Sequence, residues 1–317
     1  MSKKYLVILS GSPRGGKKTW LSVLKYVVDP LNADLAICTT DNFVDSNILF
    51  ERADYKWIMN NPNNFEDYYA KYYKGTWKEY LNKGKGLGLY ESGMIHFALK
   101  DYIKREHLKV LKEYEYIIYS RFDQYYIDYH PDVDSDKLYI PTGEDYFGVC
   151  DRHAVFKSSR AEDFLSIVEY IDSPLALNEL PKYPNCESVY KKHLDNIDLS
   201  KNIERFSRVS FTAAIKNEHT NWRIPKYKIF FTDNLMIKYP DEYLNGFKFK
   251  YSSNNFISYI FSDFPLNLYF IYLKLRQSLG NIVKKEESQL CQDHKEYFLS
   301  SKYENIINDC PDCGKIK

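Results

Sequence analysis

Residues 5–19, YLVILSGSPRGGKKT, run from an unbroken apolar segment through a glycine-rich turn into a helical pattern. Tyr5–Ser10 has the composition of a strand buried on both faces, as in a parallel sheet. Residues 19–31 follow with Leu21, Leu24, Val28 and Leu31 at helical spacing, a face that should pack on the sheet before Pro30 ends the helix. Residues 35–38 are a second apolar run, ending in Thr39-Thr40-Asp41. Strand, helix and strand in this order form a βαβ unit with a right-handed crossover, and place the chain in the α/β class.

Working outward, residues 47–82 are rich in Tyr and Trp without a clean stripe, and Gly84, Gly86 and Gly88 mark a loop. Residues 95–111 read as a long helix leading to a third strand at 116–120, followed by Arg121-Phe122-Asp123. Further strands are expected at 138–140 and at 146–150, the latter running into Asp151. Ser159 and Glu162 have the spacing of a capping box, opening a helix that reaches about Ile171. Residues 185–194 read as helix and 205–214 as strand, and Asp233-Asn234 sits where a hairpin would turn. The expected organisation is an α/β core over residues 1–216, with a hairpin and a mostly helical extension over 217–317.

Composition narrows the functional classes. A chain of 317 residues with 44% hydrophobic and 27% charged residues is globular and not disordered. A net charge of +1 argues against a dedicated nucleic-acid binder, whose footprint is a basic excess. Thirty tyrosines accompany many Lys, Asn and Ile, all with AT-rich codons, so codon composition explains them better than a carbohydrate-stacking surface. Six cysteines in a chain this long do not form a disulfide framework. The apolar run before Gly11 is too short for a signal-peptide core. A cytoplasmic, reducing location is the expectation.

Residues 256–273 carry a single charge, Asp263, but Pro265 interrupts them and Ser258, Ser262 and Asn267 are polar. A spanning helix needs ~20 predominantly apolar residues, so this segment suggests a packed helix or peripheral membrane contact and no transmembrane span. Near the end, Cys291-x2-His294 and Cys310-x2-Cys313 resemble a zinc-ribbon half pair, a candidate structural Zn²⁺ site.

The chemistry-bearing segment is again the opening one. Gly11 permits close backbone approach, the N–H groups of the helix start favour an anion, and Arg14 adds a charge-assisted fork. A phosphate-bearing ligand follows. Gly11 and Gly16-Lys17 have Walker A spacing, yet Lys18 stands where Ser or Thr should bind Mg²⁺, and Thr19 is about 100° further round the helix. The run also resembles the phosphosulfate loop of sulfotransferases, one residue too long, with Arg121 imitating their second phosphate-binding Arg. A P-loop-type sulfotransferase or kinase is therefore a rival reading.

A third resemblance covers residues 5–214. The strand–Gly-Ser-Pro-Arg turn, the helix and Ala33-Asp34-Leu35-Ala36-Ile37 resemble the start of GT-A-type glycosyltransferases of polysaccharide and lipopolysaccharide biosynthesis. Tyr119-Ser120-Arg121-Phe122-Asp123 resembles their Arg-x-Arg-x-Asp strand end, with Tyr119 replacing the first Arg. Asp145-Tyr146-Phe147-Gly148 through Asp151 resembles the next loop, and Asn185-Cys186-Glu187 with Leu194 resembles their Pro-Glu…Leu helix. The resemblance implies a mixed, Rossmann-related sheet flanked by helices, a nucleotide-sugar donor, and a glycan or other hydroxyl acceptor.

It also implies roles. Gly11, Arg14, Arg121 and Asp123 would lie at the donor diphosphate, and Asp41 at ribose or base. Such enzymes hold Mn²⁺ or Mg²⁺ with an Asp-x-Asp; here Asp123 keeps its place, but Arg121 stands where the upstream Asp belongs. Either Asp123 holds the metal with the diphosphate, or Arg121 is itself the cation. The candidate general bases are Asp151, Glu187 and Asp145, with Asp151 preferred. His130 and His153 receive no role. A protein that keeps the fold without catalysis is a further alternative.

Overall fold

The structure, a computed structural model, describes residues 4–44, 47–62 and 64–215, with short stretches beyond at 218, 227–228, 235–239, 242–243 and 246. The chain divides into two compact units, Met1–Ser210 and Phe211–Lys317.

The first unit is built on strands β1 (Tyr5–Ser10), β2 (Asp34–Thr40), β3 (Tyr55–Met59), β4 (Tyr116–Arg121), β5 (Gln124–Tyr126), β6 (Leu138–Pro141), β7 (His153–Lys157) and β8 (Ile203–Phe206). Seven of them form one sheet in the order β3-β2-β1-β4-β7-β6-β8. The first four are parallel, β7 runs antiparallel to both β4 and β6, and β8 is parallel to β6. This is an α/β architecture with a mixed sheet flanked by helices, compatible with a Rossmann-like fold.

The period of two along each strand sorts side chains onto two cores. Leu6, Ile8, Ile117 and Tyr119 pack with Phe97, Ala98 and Ile103 of the Met94–Leu111 helix and with Val189 and Leu194 of the Cys186–Asn196 helix. Val7, Leu9, Leu35 and Ile118 face the other way, against Val23, Leu24, Val27, Val28, Leu49 and Phe50. Every side chain of β1 is buried, as its unbroken apolar composition requires.

Several expected elements differ. The first helix begins earlier, at Gly16, and passes at Leu24 into a π turn ending at Val28. Its inner face carries Thr19, Ser22 and Val23 because the Ser22 hydroxyl accepts the backbone N–H of Tyr126 in β5 at 2.9 Å. Leu21, about 100° away from Ser22, is therefore 41% exposed and not part of the core. β3 has no forecast in the pattern, because its five residues lie inside the Tyr- and Trp-rich stretch.

Residues 146–150 are not a strand. Tyr146 and Phe147 take positive φ (33° and 66°), which no strand accommodates, and the strand lies at β7 instead. No capping box forms at Ser159 and Glu162, since Ser158–Arg160 is a 3₁₀ turn without a side-chain cap. Residues 205–214 are two strands, β8 and β9 (Ser210–Ile215).

In the second unit β10 (Tyr227–Lys228) and β11 (Leu235–Ile237) are antiparallel, and β11 also pairs antiparallel with β9. Asp233-Asn234, residues 256–273 and the cluster Cys291, His294, Cys310 and Cys313 lie outside the described residues. Among the described residues, no helix is long and apolar enough to cross a membrane.

Candidate active site

After β1 the chain moves to one side of the sheet for β2 and β3, then returns to the other side of β1 for β4. Between β1 and β4 the connections part, and in an open α/β sheet such a switch point at the carboxyl ends of the strands is where a ligand crevice forms. Ser10 pairs in register with Arg121, so the loop after β1 and the turn after β4 leave the sheet side by side.

The loop is shaped by two glycines. Gly11 has φ +113°, donates its N–H to Cys38 O at 3.0 Å, and would bring a Cβ within 3.3 Å of the His96 ring. Gly15 has φ +96°, with the Thr19 side chain only 2.9 Å from where a Cβ would sit. Glycine takes both conformations at little cost, whereas a side chain at either position would be strained. Between them Arg14 projects to the β4 turn, where its Nη2 donates to Asp123 Oδ2 at 3.2 Å. Arg121 grips the same carboxylate with two bonds, Nε to Oδ1 at 2.9 Å and Nη2 to Oδ2 at 2.7 Å.

Asp123 is buried. Burial opposes its ionisation, but the charges of Arg121 and Arg14 outweigh that and hold its pKa at about 2. The Arg14 Nε–H is buried and has no acceptor among the described residues. Two guanidiniums thus converge on one carboxylate, with N–H donors to spare.

A second charged group adjoins this one. Arg152 pairs with Glu187 at 2.9 Å, with Glu144 at 3.1 Å and with Asp151 at 3.6 Å, and Arg208 pairs with Glu144 at 2.7 Å. All five side chains are buried or nearly so. Asp151 Oδ1, the atom that faces Arg152 at 3.6 Å, is buried without a hydrogen-bond partner among the described residues. The Asp151 charge acts on Arg121 and on His96, and His96 also feels Arg14 and Asp123. Burial and the two neighbouring guanidiniums lower the His96 pKa to about 3, so this ring is neutral.

The loop carrying Glu144 and Asp145 is held under strain. Glu144, Tyr146 and Phe147 all have positive φ, a conformation that non-glycine residues keep only when their surroundings impose it. Here the surroundings are the start of the Cys186–Asn196 helix. Asn185 and Ser188 form its capping box, and the Asn185 amide also donates to Tyr146 O at 3.1 Å. A Cβ on Gly148 would lie 1.9 Å from Glu187 O, so the loop and the helix start touch backbone to backbone.

The expected site residues therefore divide. Gly11, Arg14, Arg121 and Asp123 come together, as do Asp151 and Glu187. Asp145 does not join them: it accepts Cys150 N–H at 2.9 Å and pairs with Arg205 at 3.0 Å, fastening the loop. Asp41 is exposed and accepts Asn61 N–H at 2.9 Å, which closes the turn after β2. His130 and His153 pair with each other through Nε2 atoms 2.9 Å apart.

The group does not fit an Asp-x-Asp metal site. Both Asp123 oxygens are taken by guanidiniums, and the neighbouring position that should supply a second carboxylate is one of those guanidiniums. Among the described residues, no three His, Cys, Asp or Glu side chains are arranged to hold a metal ion.

No protein-family model and no curated protein matches this sequence. The chemistry therefore rests on the residues themselves. Sequence reasoning passes over His96 and Lys100, which line the inner face of the Met94–Leu111 helix one turn apart. Their signal is present: two polar residues at i and i+4 among Phe97, Ala98, Leu99 and Ile103 on a face otherwise committed to the core. Arg152, Glu144 and Arg208 carry no comparable signal, because their pairing spans three separate segments.

Proposed function

We propose that the chain is a GT-A-type glycosyltransferase that moves a sugar from a nucleotide-activated donor to a glycan or other hydroxyl acceptor. The observation that carries this reading is the convergence of Arg14 and Arg121 on Asp123 at the β1/β4 switch point. A diphosphate bound there would find a neutral-to-positive crevice, the unsatisfied Arg14 Nε–H, and the N–H groups of the loop opening the Gly16–Val23 helix.

In the transfer step the acceptor oxygen bonds to the anomeric carbon as the bond from that carbon to the diphosphate oxygen breaks. The electron pair leaves with the diphosphate. Arg14 and Arg121 neutralise the charge that grows there, the task a divalent cation performs elsewhere. Asp123 keeps both guanidiniums aimed. Asp151, whose Oδ1 accepts no hydrogen bond among the described residues and meets Arg152 only at 3.6 Å, takes the acceptor proton. Glu187 and Glu144 hold Arg152 beside it.

The sulfotransferase or kinase reading has less support. Lys17, which would have to fold over a nucleotide's phosphates, is exposed and makes no hydrogen bond or ion pair among the described residues. A thermal-shift panel with UDP, GDP, ATP and adenosine 3′,5′-bisphosphate, each with and without EDTA, separates the readings. Stabilisation by UDP or GDP that survives EDTA supports the proposal. Stabilisation by ATP or the bisphosphate alone overturns it. A fold that binds UDP or GDP without hydrolysing any nucleotide sugar supports the non-catalytic alternative.

A further inference from the structure

Lys100 is 2% exposed, yet no carboxylate or carbonyl among the described residues accepts a hydrogen bond from its ammonium. What surrounds it is aromatic. Its Nζ lies 4.4 Å from the ring centroid of Tyr190, 4.9 Å from that of Phe164 and 5.0 Å from that of Tyr119. Cation–π attraction offsets part of the cost of burying an ammonium, but it leaves three N–H donors unused. A lysine this deep is almost always paired.

Two further buried groups share the condition. Among the described residues the Tyr190 hydroxyl has no hydrogen-bond partner, and Asp151 Oδ1 has none either, its one ion pair being the long contact with Arg152 at 3.6 Å. Asp151 is the leading opposite charge acting on Lys100, and its charge acts on Tyr190 as well. Burial brings the Lys100 pKa down to about 8 against the pull of Asp151, which keeps the group cationic at neutral pH. Two donor groups, the Lys100 ammonium and the Tyr190 hydroxyl, and one acceptor, Asp151 Oδ1, are therefore left without hydrogen bonds among the described residues beside the arginine cluster.

We infer that Lys100, Tyr190 and Asp151 form a subsite for the hydroxyl groups of the donor's sugar ring. A hydroxyl accepts from an ammonium or a phenol and donates to a carboxylate at the same time. An anion in this place is repelled by Asp151 and an amine by Lys100. An apolar group leaves all three unsatisfied. A carboxylate offers about four lone-pair sites, so holding one sugar hydroxyl leaves Asp151 able to receive the acceptor proton. The inference rests on the nucleotide-sugar reading and adds where the sugar binds.

The test is calorimetric titration of the full chain with matched probes: UDP against UDP-glucose and UDP-galactose, and GDP against GDP-mannose. In the wild type one nucleotide sugar should bind more tightly than its own diphosphate. Lys100→Met, which keeps an apolar chain of similar length in the aromatic cage, should bind the diphosphate as before and lose that preference by roughly 10–100-fold, the worth of a hydrogen bond to a charged group. A preference that survives overturns the subsite and leaves the donor reading standing, as does a wild type that binds every diphosphate as well as its sugar. If neither UDP nor GDP binds, the donor reading fails and the subsite with it. Should Lys100→Met not fold, Lys100→Gln and Tyr190→Phe read the same preference, and its survival in both overturns the inference.

Discussion

Arg14 and Asp123 meet at 3.2 Å although 109 residues separate them in the chain. Neither sits in a regular element: one belongs to the loop after β1, the other to the turn after β4. The parallel register that sets Ser10 against Arg121 brings them together. Their contact is thus a consequence of strand order, and it places two cationic side chains where an anionic leaving group would sit.

Arg14→Met should leave the protein almost as stable as the wild type, within about 1 kcal/mol, because this guanidinium is the more exposed partner and Arg121 still satisfies Asp123. The thermal shift produced by UDP or GDP should disappear. A variant that melts normally and still responds to the diphosphate would remove Arg14 from the site.

Asp123→Ala should behave differently. It strands the Arg121 guanidinium, 15% exposed, without its carboxylate, and breaking a buried pair costs about 3–5 kcal/mol. Urea unfolding at pH 7 measures this. The carboxyl pKa is lowered from 3.8 to about 2 in the folded protein, so the stability it contributes is full above about pH 4 and is lost as pH falls toward 2. The gap between wild type and Asp123→Asn should close over that interval.

The buried histidines make the fold acid-sensitive at milder pH. His130 Nδ1–H donates to Pro131 O at 2.7 Å, which leaves its Nε2 to accept from His153 Nε2–H; His153 Nδ1 then accepts from Tyr126 or Ser120. This relay works only with both rings neutral. Burial lowers the pKa of His130 to about 4 and that of His193 to about 3, and puts His153 well below its ordinary value. The unfolded chain takes up protons below about pH 6.5 while the native protein does not, so stability falls as pH drops, by about 1.4 kcal/mol per pH unit for each such histidine. Urea midpoints should decline between pH 6.5 and 4.5, and His130→Asn should flatten the slope. A flat profile would contradict the relay.

Gly148→Ala tests the junction between the strained loop and the Cys186–Asn196 helix. A Cβ 1.9 Å from Glu187 O cannot be accommodated without moving backbone. A loss of about 1–3 kcal/mol, the usual cost of overpacking, should appear in thermal melts, together with weaker turnover of any donor. Gly86→Ala serves as the control for space, since nothing lies within 4 Å of its Cβ position, although its φ of +81° adds some strain.

How much of this was legible in the sequence follows the range of the interactions. β1, β2, β4 and the Met94–Leu111 helix are readable because apolar runs and helical spacing are local signals, and each of these elements buries the face its pattern marks. The segment at 146–150 misleads for the same reason: an aromatic and apolar run looks like a strand, while the Asn185 amide and the contact with Glu187 that bend it come from 39 residues away. Leu21 misleads because a single serine, Ser22, is needed by Tyr126 across the fold. Arg14, Arg121, Asp123 and Asp41 can be nominated from the ends of strands and Asp145 from the family resemblance, but only the structure shows that Asp41 and Asp145 accept backbone N–H groups within loops.

The sequence by itself determined the α/β class, the glycine turn after the first strand and the charged residues that follow the strand ends, since backbone sterics and hydropathic period act between near neighbours. Only the tertiary structure decided which charges pair. Asp123 shared by two arginines, Lys100 enclosed by three rings and Asp151 held beside Arg152 without a hydrogen bond to Oδ1 all depend on strands and helices from distant parts of the chain closing on one another, and on the exclusion of water that makes a buried charge there costly.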